Sequence, residues 1–215
     1  MSNKIDIEKI ESMKSKIQEA TQPYRELMSC YKCAMMEVET KFRVLDEELS
    51  LEYDRNPIES IKTRLKAHES ILDKLYLRDI QPTAENIESQ LHDIAGVRVI
   101  CTFPSDIYML SQAFLNQDDV NLLEIKDYIK EPKPNGYRSL HLIVEVPIFL
   151  HDEKKLMKVE VQLRTMSMDW WASQEHKIKY KKKVSLSTEE EQELYQCAEI
   201  AAELDLKMEK IAKNI

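Results

Sequence analysis

The chain has 215 residues, 43% hydrophobic and 33% charged, enough for one sizeable core with helical extensions rather than for two domains. No stretch is long and apolar enough to span a membrane, and Met1-Ser2-Asn3-Lys4-Ile5-Asp6 lacks the apolar centre of a secretory signal. The net charge of −8 divides into −4 over residues 1–60, +1 over 61–187 and −5 over 188–215, which excludes a protein that coats nucleic acid but allows local basic pockets for a small anion.

Cys30, Cys33, Cys101 and Cys197 read as reduced thiols, so the expected location is the cytoplasm. Cys30 and Cys33 form a lone Cys-x-x-Cys without a second pair, and neutral thiols explain it better than zinc or redox chemistry.

Residues 4–53 read as helix, broken once at Thr21-Gln22-Pro23. Ile10, Met13, Ile17, Ala20, Tyr24, Leu27, Tyr31, Ala34 and Val38 form a heptad seam, which suits either the chain's own core or a subunit contact. Asn56 as N-cap and Pro57 at the first helical position predict a second helix, with Ile58, Ile61, Leu65, Leu72 and Leu75 on its buried side. A strand is expected after Asp93, from Gly96 to Phe103, then a helix over 106–116 and a strand from Val120 to Ile125.

Gly96 and Gly136 are the only glycines. Asn135-Gly136, in a Pro-bounded loop, is a dipeptide that readily takes positive φ. Lys126, Lys130, Lys133 and Arg138 surround this turn, with Tyr137 at its apex. It reads either as an ordinary polar hairpin or as a loop for a ligand with phosphates and a flat base. A strand over 139–147, ended by Pro147, and a polar turn at 151–155 follow. Met157, Val159, Val161 and Leu163 then alternate with Lys158, Glu160, Gln162 and Arg164, a strand with one core face and one polar face. Thr165 caps a helix over 166–183 whose stripe carries Asp169, Ser173, His176 and Tyr180. A last helix, 188–213, shows a second seam at Leu194, Cys197, Ala201, Leu204, Met208 and Ile211. The expected architecture is α/β with α+β character: a mixed sheet of about five strands flanked by helices. Residues 1–55 form a helical extension, 56–183 the core and 184–215 a terminal helix.

Asp93 and Glu160, with Arg64, Lys66, Arg98, Lys133, Arg138 and Arg164, supply what phosphoryl-type transfer needs: carboxylates for Mg²⁺ and cations for phosphates. There is no Walker A sequence, so side chains must hold the phosphates. His92-Asp93 alone does not make a metal-phosphohydrolase site, because the other histidines lack the required spacing.

His92-Asp93-Ile94-Ala95-Gly96-Val97-Arg98, Lys133 to His141, Glu160 to Thr165, and Met168 to His176 resemble, in this order, the synthetase domain of the RelA/SpoT family. The resemblance covers Asn56 to Tyr180 and is closest to the small alarmone synthetases, RelP-type, without an added hydrolase domain. It implies a nucleotidyltransferase-like fold and transfer of the β,γ-pyrophosphoryl group of ATP to the 3′-OH of GDP or GTP. It also implies Mg²⁺ held by Asp93 and Glu160, with Glu160 as base. On the ATP side it places Arg64 and Arg98 about the adenine and Lys66, Lys74 and Arg78 at the phosphates. On the guanosine side it places Tyr137 as base stack, Asp169 at the base edge, Lys126, Lys133 and His176 at the phosphates, and Arg138, His141, Gln162 and Arg164 beside them. Relatives usually carry Arg where this chain has Leu77. A closed homotetramer is implied; no nucleic-acid or membrane partner is expected. Pyrophosphate transfer to another 3′-OH, such as a tRNA end approached over Lys177 to Lys183, and a non-catalytic nucleotide- or RNA-binding regulator are the alternatives.

Overall fold

A computed structural model describes residues 7–53, 55–181 and 186–214, without the side chains of 7–15, 17, 18, 20, 52, 53, 180 and 181. The elements run α1 (Ile7–Tyr53), β1 (Ile58–Leu65), α2 (His68–Leu77), α3 (Ala84–Gln90), β2 (Ala95–Cys101), α4 (Pro104–Leu115), β3 (Asn121–Asp127), β4 (Leu140–Phe149), β5 (Lys154–Thr165), α5 (Met166–Lys181) and α6 (Thr188–Ala212). They form one mixed sheet of order β1-β2-β5-β4-β3, with β2 and β5 parallel and every other pair antiparallel.

Period-two alternation gives this sheet two unlike faces. Val97 and Val99 of β2, Leu142 and Val144 of β4, and Val159 and Val161 of β5 are buried in the core. α1 lays Leu27, Tyr31, Ala34, Val38, Phe42, Leu45 and Leu49 into the same core. The rings of Phe42 and Phe114 of α4 stack there at 4.5 Å. Each Val, Leu or Phe side chain among them contributes about 1.5–3 kcal/mol on burial, so one apolar layer fixes how the polar face is presented.

Three expectations need correction. α1 continues through Pro23: a proline removes one hydrogen bond of the ladder, and the seam beyond it is anchored on the sheet. The described part of the first seam, Leu27, Tyr31, Ala34 and Val38, packs on the chain's own core; Ile10, Met13, Ile17 and Ala20 lie outside the described side chains. The helix expected from Asn56 is strand β1, paired antiparallel with β2 from Ile58↔Cys101 to Leu65↔Ala95. The helix begins only at His68, burying Ile71 and Leu75; a periodicity read across 58–75 had merged two elements. β4 also runs past Pro147, where β3 has ended and β5 is the only neighbour among the described residues, an edge position that accommodates proline.

The loop between β3 and β4 turns at Gly136, whose φ is +85°. A Cβ there would lie 2.6 Å from that of Ala198 on α6. Glycine is required twice over, for the backbone angle and for the approach of a helix.

Candidate active site

The polar face is built by strand register. Lys62, Arg98, Gln162, His141 and Lys126 lie in one row across β1, β2, β5, β4 and β3. Two residues along each strand, Arg64, Gly96, Glu160, Ile143 and Glu124 form the next row. Glu160 therefore stands on the central strand. Gly96 beside it has no side chain to fill the space between Arg64 and Glu160.

On the β1–β2 side a cavity of about 590 Å³ is lined by Lys62, Arg64, Lys66, Asp93, Gly96, Arg98, Glu160 and Gln162, with Thr63, Ser70 and Val97. Asp93 precedes β2, and its Oδ2 accepts from Lys66 Nζ at 2.6 Å and Lys74 Nζ at 2.7 Å. Burial would raise its pKa, but the two ammonium groups outweigh burial and hold it below the usual carboxylate range. Its buried Oδ1 has no hydrogen-bond partner among the described residues. An uncommitted oxygen on an ionised carboxylate that shares a cavity with Glu160 fits a divalent cation, which needs one or two carboxylates when phosphates complete its shell.

On the β4 side the loop closes over Glu160 through side chains. Glu160 only accepts, so His141 donates from Nδ1 to Oε1 at 3.1 Å, leaving Nε2 to accept from the Tyr137 hydroxyl at 2.8 Å. Tyr137 in turn accepts from Arg164 Nη2. A second path leads from Arg164 Nη2 to Gln162 Oε1 at 2.9 Å and from Gln162 Nε2 to Glu160 Oε2 at 2.8 Å. Burial would raise the Glu160 carboxyl; the His141 and Gln162 hydrogen bonds override it and hold the group below the ordinary glutamate value. Glu160 is thus a weak base with both oxygens already aimed. Lys133 Nζ lies 4.8 Å from the centre of the Tyr137 ring and Arg164 Cζ 5.0 Å.

Arg164 is buried and anchored to Ser139 Oγ at 3.3 Å and to Asp169 Oδ1 at 3.4 Å. Asp169, in the first turn of α5, also accepts from Arg98 Nη1 and Lys62 Nζ, both at 3.0 Å. Burial pushes its carboxyl up, but Lys62, Arg98 and Arg164 pull it below its usual range. Both its oxygens are therefore occupied by cations.

The remaining expected site residues are placed otherwise. Lys126 is exposed and pairs with Glu124 at 3.0 Å. Arg138 turns to α6 and donates to Glu199 at 2.8 Å. His176 is exposed on α5. Arg78 donates to the Gln90 carbonyl at 3.2 Å, Leu77 is 83% exposed, and neither lines the cavity. Tyr180 and part of the Lys177–Lys183 run lie outside the described side chains. Sequence reasoning missed Lys62 as a site residue, although its spacing from Arg64 and Lys66 is the period of one strand face. It also missed Tyr128, whose ring carries Lys133 Nζ at 4.6 Å and meets Tyr137 and His141 edge-on.

A family model described as "Region found in RelA / SpoT proteins" matches residues 63–185. The chain belongs to the RelA/SpoT family. It is 45% identical to GTP pyrophosphokinase YwaC of Bacillus subtilis over 185 residues, 86% of this chain and 88% of that protein. It is 35% identical to GTP pyrophosphokinase YjbM of the same organism, over 86% of each chain. Among solved structures of the family, small alarmone synthetase 2 from Bacillus subtilis superposes with a TM-score of 0.82 at 42% identity, covering 89% of this chain and 99% of that one. Small alarmone synthetase 1, bound to its product pppGpp, gives 0.81 at 32% identity, with 91% and 98% covered.

Proposed function

We propose that the protein transfers the β,γ-pyrophosphoryl group of ATP to the 3′-hydroxyl of GDP or GTP, making ppGpp or pppGpp. The observation that carries this is Glu160 on the central strand, with a cation-lined cavity toward β1 and an aromatic, cationic loop toward β4. In the family, one small alarmone synthetase 1 structure holds the product pppGpp and another AMPCPP, an ATP analogue.

In this reading ATP occupies the cavity, its adenine between Arg64 and Arg98 and its phosphates on Lys66 and Lys74 once these leave Asp93. The guanosine stacks on Tyr137, displacing the exposed Lys133 toward the phosphates. The 3′-oxygen then forms a bond to Pβ, the bond from Pβ to the α,β-bridging oxygen breaks, and AMP leaves. Glu160 accepts the hydroxyl proton. Asp93 and Glu160 would hold Mg²⁺, which when bound supplies charge neutralisation at the phosphates and acidifies the attacking hydroxyl. That help is needed, because a carboxylate held below its normal pKa removes a proton poorly alone. The natural setting is the cytoplasm, where both nucleotides are found. ATP labelled in its γ-phosphate, incubated with Mg²⁺ and GDP or GTP, should yield labelled guanosine nucleotide and one AMP per transfer. Label released as inorganic phosphate with ADP would overturn the reading.

Tyr137 separates two contributions. Tyr137→Phe keeps the ring but cuts the Arg164–Tyr137–His141 path, so kcat should fall by about three- to tenfold with little change in KM, the worth of one hydrogen bond. Tyr137→Ala should also raise the guanosine KM, by about tenfold for a lost base stack. Equal KM values in the two variants would remove the stack.

The reading extends to a homo-oligomer, a tetramer as the resemblance implies. α6 buries Ala198, Asp205 and Glu209 against the core and leaves its seam outward. Ile200 (64% exposed), Leu204 and Met208 form, with Trp170 (59% exposed), Phe103 and Met166, an apolar groove of about 610 Å³. A second copy, presenting the same self-complementary seam, is the occupant that closed symmetry favours. Ile200→Glu with Leu204→Glu should reduce the mass seen in light scattering to one half or less; a wild-type mass of one chain at micromolar concentration would contradict the assembly.

A further inference from the structure

Besides the Leu194 carbonyl, which accepts from Trp171 Nε1 of α5 at 2.9 Å, helix α6 touches the elements that carry the site at three places. Ala198 abuts Gly136 in the Tyr137 loop, and Glu199 accepts from Arg138 at 2.8 Å. The third contact lies at the corner where β5 becomes α5. There the buried Asp205 accepts from Thr165 Oγ1 at 2.6 Å and from Ser167 Oγ at 2.5 Å. Thr165 Oγ1 accepts from the backbone N–H of Met168 at 3.2 Å, one of the first-turn donors that a helix cannot satisfy internally. The next residue is Asp169, on which Lys62, Arg98 and Arg164 converge.

A carboxylate is a costly way to satisfy two hydroxyls. Burial pushes Asp205 up, and the Ser167 and Thr165 hydrogen bonds only partly offset it. A backbone carbonyl would accept such donors without desolvating a charge. What the carboxylate adds is direction: two short bonds from a separate helix fix both hydroxyls, and through Thr165 the first turn of α5.

We propose that Asp205 is a positioning residue for the transfer reaction, holding the β5–α5 corner so that Asp169 keeps Lys62 and Arg98 in register on the cavity wall. This rests on the pyrophosphoryl-transfer reading above. It touches no substrate in that reading and acts only through Thr165, Ser167 and Asp169.

The test compares Asp205→Ala, Asp205→Asn, Thr165→Val and, as control, Glu203→Gln on the exposed side of the same helix. Steady-state kinetics in the intact chain should show KM for a nucleotide substrate raised about tenfold in Asp205→Ala and Thr165→Val, with kcat changed far less, since Lys62 and Arg98 line the nucleotide cavity and a misplaced charged contact weakens binding by about that factor. Asp205→Asn, whose amide oxygen still accepts, should restore most of the loss, and Glu203→Gln should match wild type. Hydrogen exchange should show faster exchange of the Met168 and Asp169 amides in Asp205→Ala and in Thr165→Val, which removes the Met168 acceptor itself, but not in Glu203→Gln. Wild-type KM values in Asp205→Ala, or a fall in kcat alone that tracks the folded fraction, would overturn the proposal. If Asp205→Ala does not fold, Thr165→Val decides on the same criteria. A wild-type protein that makes no pyrophosphorylated guanosine refutes the reaction; unchanged exchange at Met168 then still refutes the positioning role.

Discussion

Asp93→Asn and Glu160→Gln are each expected to lower synthesis about a thousandfold or more, the effect of losing roughly 4 kcal/mol of metal-mediated charge stabilisation. Both residues line the cavity beside Arg64, Lys66 and Arg98, and neither amide can neutralise a divalent cation as a carboxylate does. Their routes to inactivity differ. Asp93→Asn removes the counter-ion of Lys66 and Lys74, so its ATP KM should move as well. Glu160→Gln leaves that pair intact and disturbs the His141 and Gln162 hydrogen bonds, so its loss should fall on kcat. Turnover near wild type in either variant with Mg²⁺ would refute the assignment of the carboxylates.

Asp169→Ala should be the most destabilising single change at the site, by about 3–5 kcal/mol, because it strands a buried cation. Arg164 is 4% exposed, and Asp169 is its carboxylate partner among the described residues. The companion change Arg164→Met should recover part of the loss in a double-mutant cycle, since the stranded charge is then gone. Urea unfolding checks both; a cost below about 1 kcal/mol for Asp169→Ala would mean that water reaches Arg164. The pH dependence has a definite sign. The Asp93, Glu160 and Asp169 carboxyls are all held below their ordinary values. Their contribution to stability is therefore full above the unfolded-state values and is lost as pH falls through the lower folded ones.

Much of this site was legible in the sequence because strand geometry has a period of two. Once Met157 to Leu163 read as the buried set, Glu160, Gln162 and Arg164 had to share the other face, and they do. The Asn135-Gly136 turn was equally plain, since few residues other than glycine take a φ of +85° without strain. Failures came where local signals conflicted with tertiary ones. Asn56-Pro57 looks like a helix start, yet the free edge of β2 recruits Ile58–Leu65 as a strand. Pro23 looks like a break, yet the packing of α1 on the sheet carries the helix through. The second seam was visible, but not that Asp205 and Glu209 would face inward beside it. A polar side chain that faces inward because its partners sit 40 residues away leaves no periodic trace. Arg138 illustrates the same limit: loop composition suggested a phosphate ligand, and only the fold brings Glu199 within 2.8 Å of it.

In the proposed reaction Asp93 and Glu160 jointly hold a divalent cation with the nucleotide phosphates. Titrating Mn²⁺ by electron paramagnetic resonance, with and without a non-hydrolysable ATP analogue, tests it most directly. A tight Mn²⁺ site is expected in the wild-type protein with the analogue, weakened at least tenfold by either Asp93→Asn or Glu160→Gln, each of which removes one of its anionic ligands. Equal Mn²⁺ affinity in the wild type and both variants would contradict it.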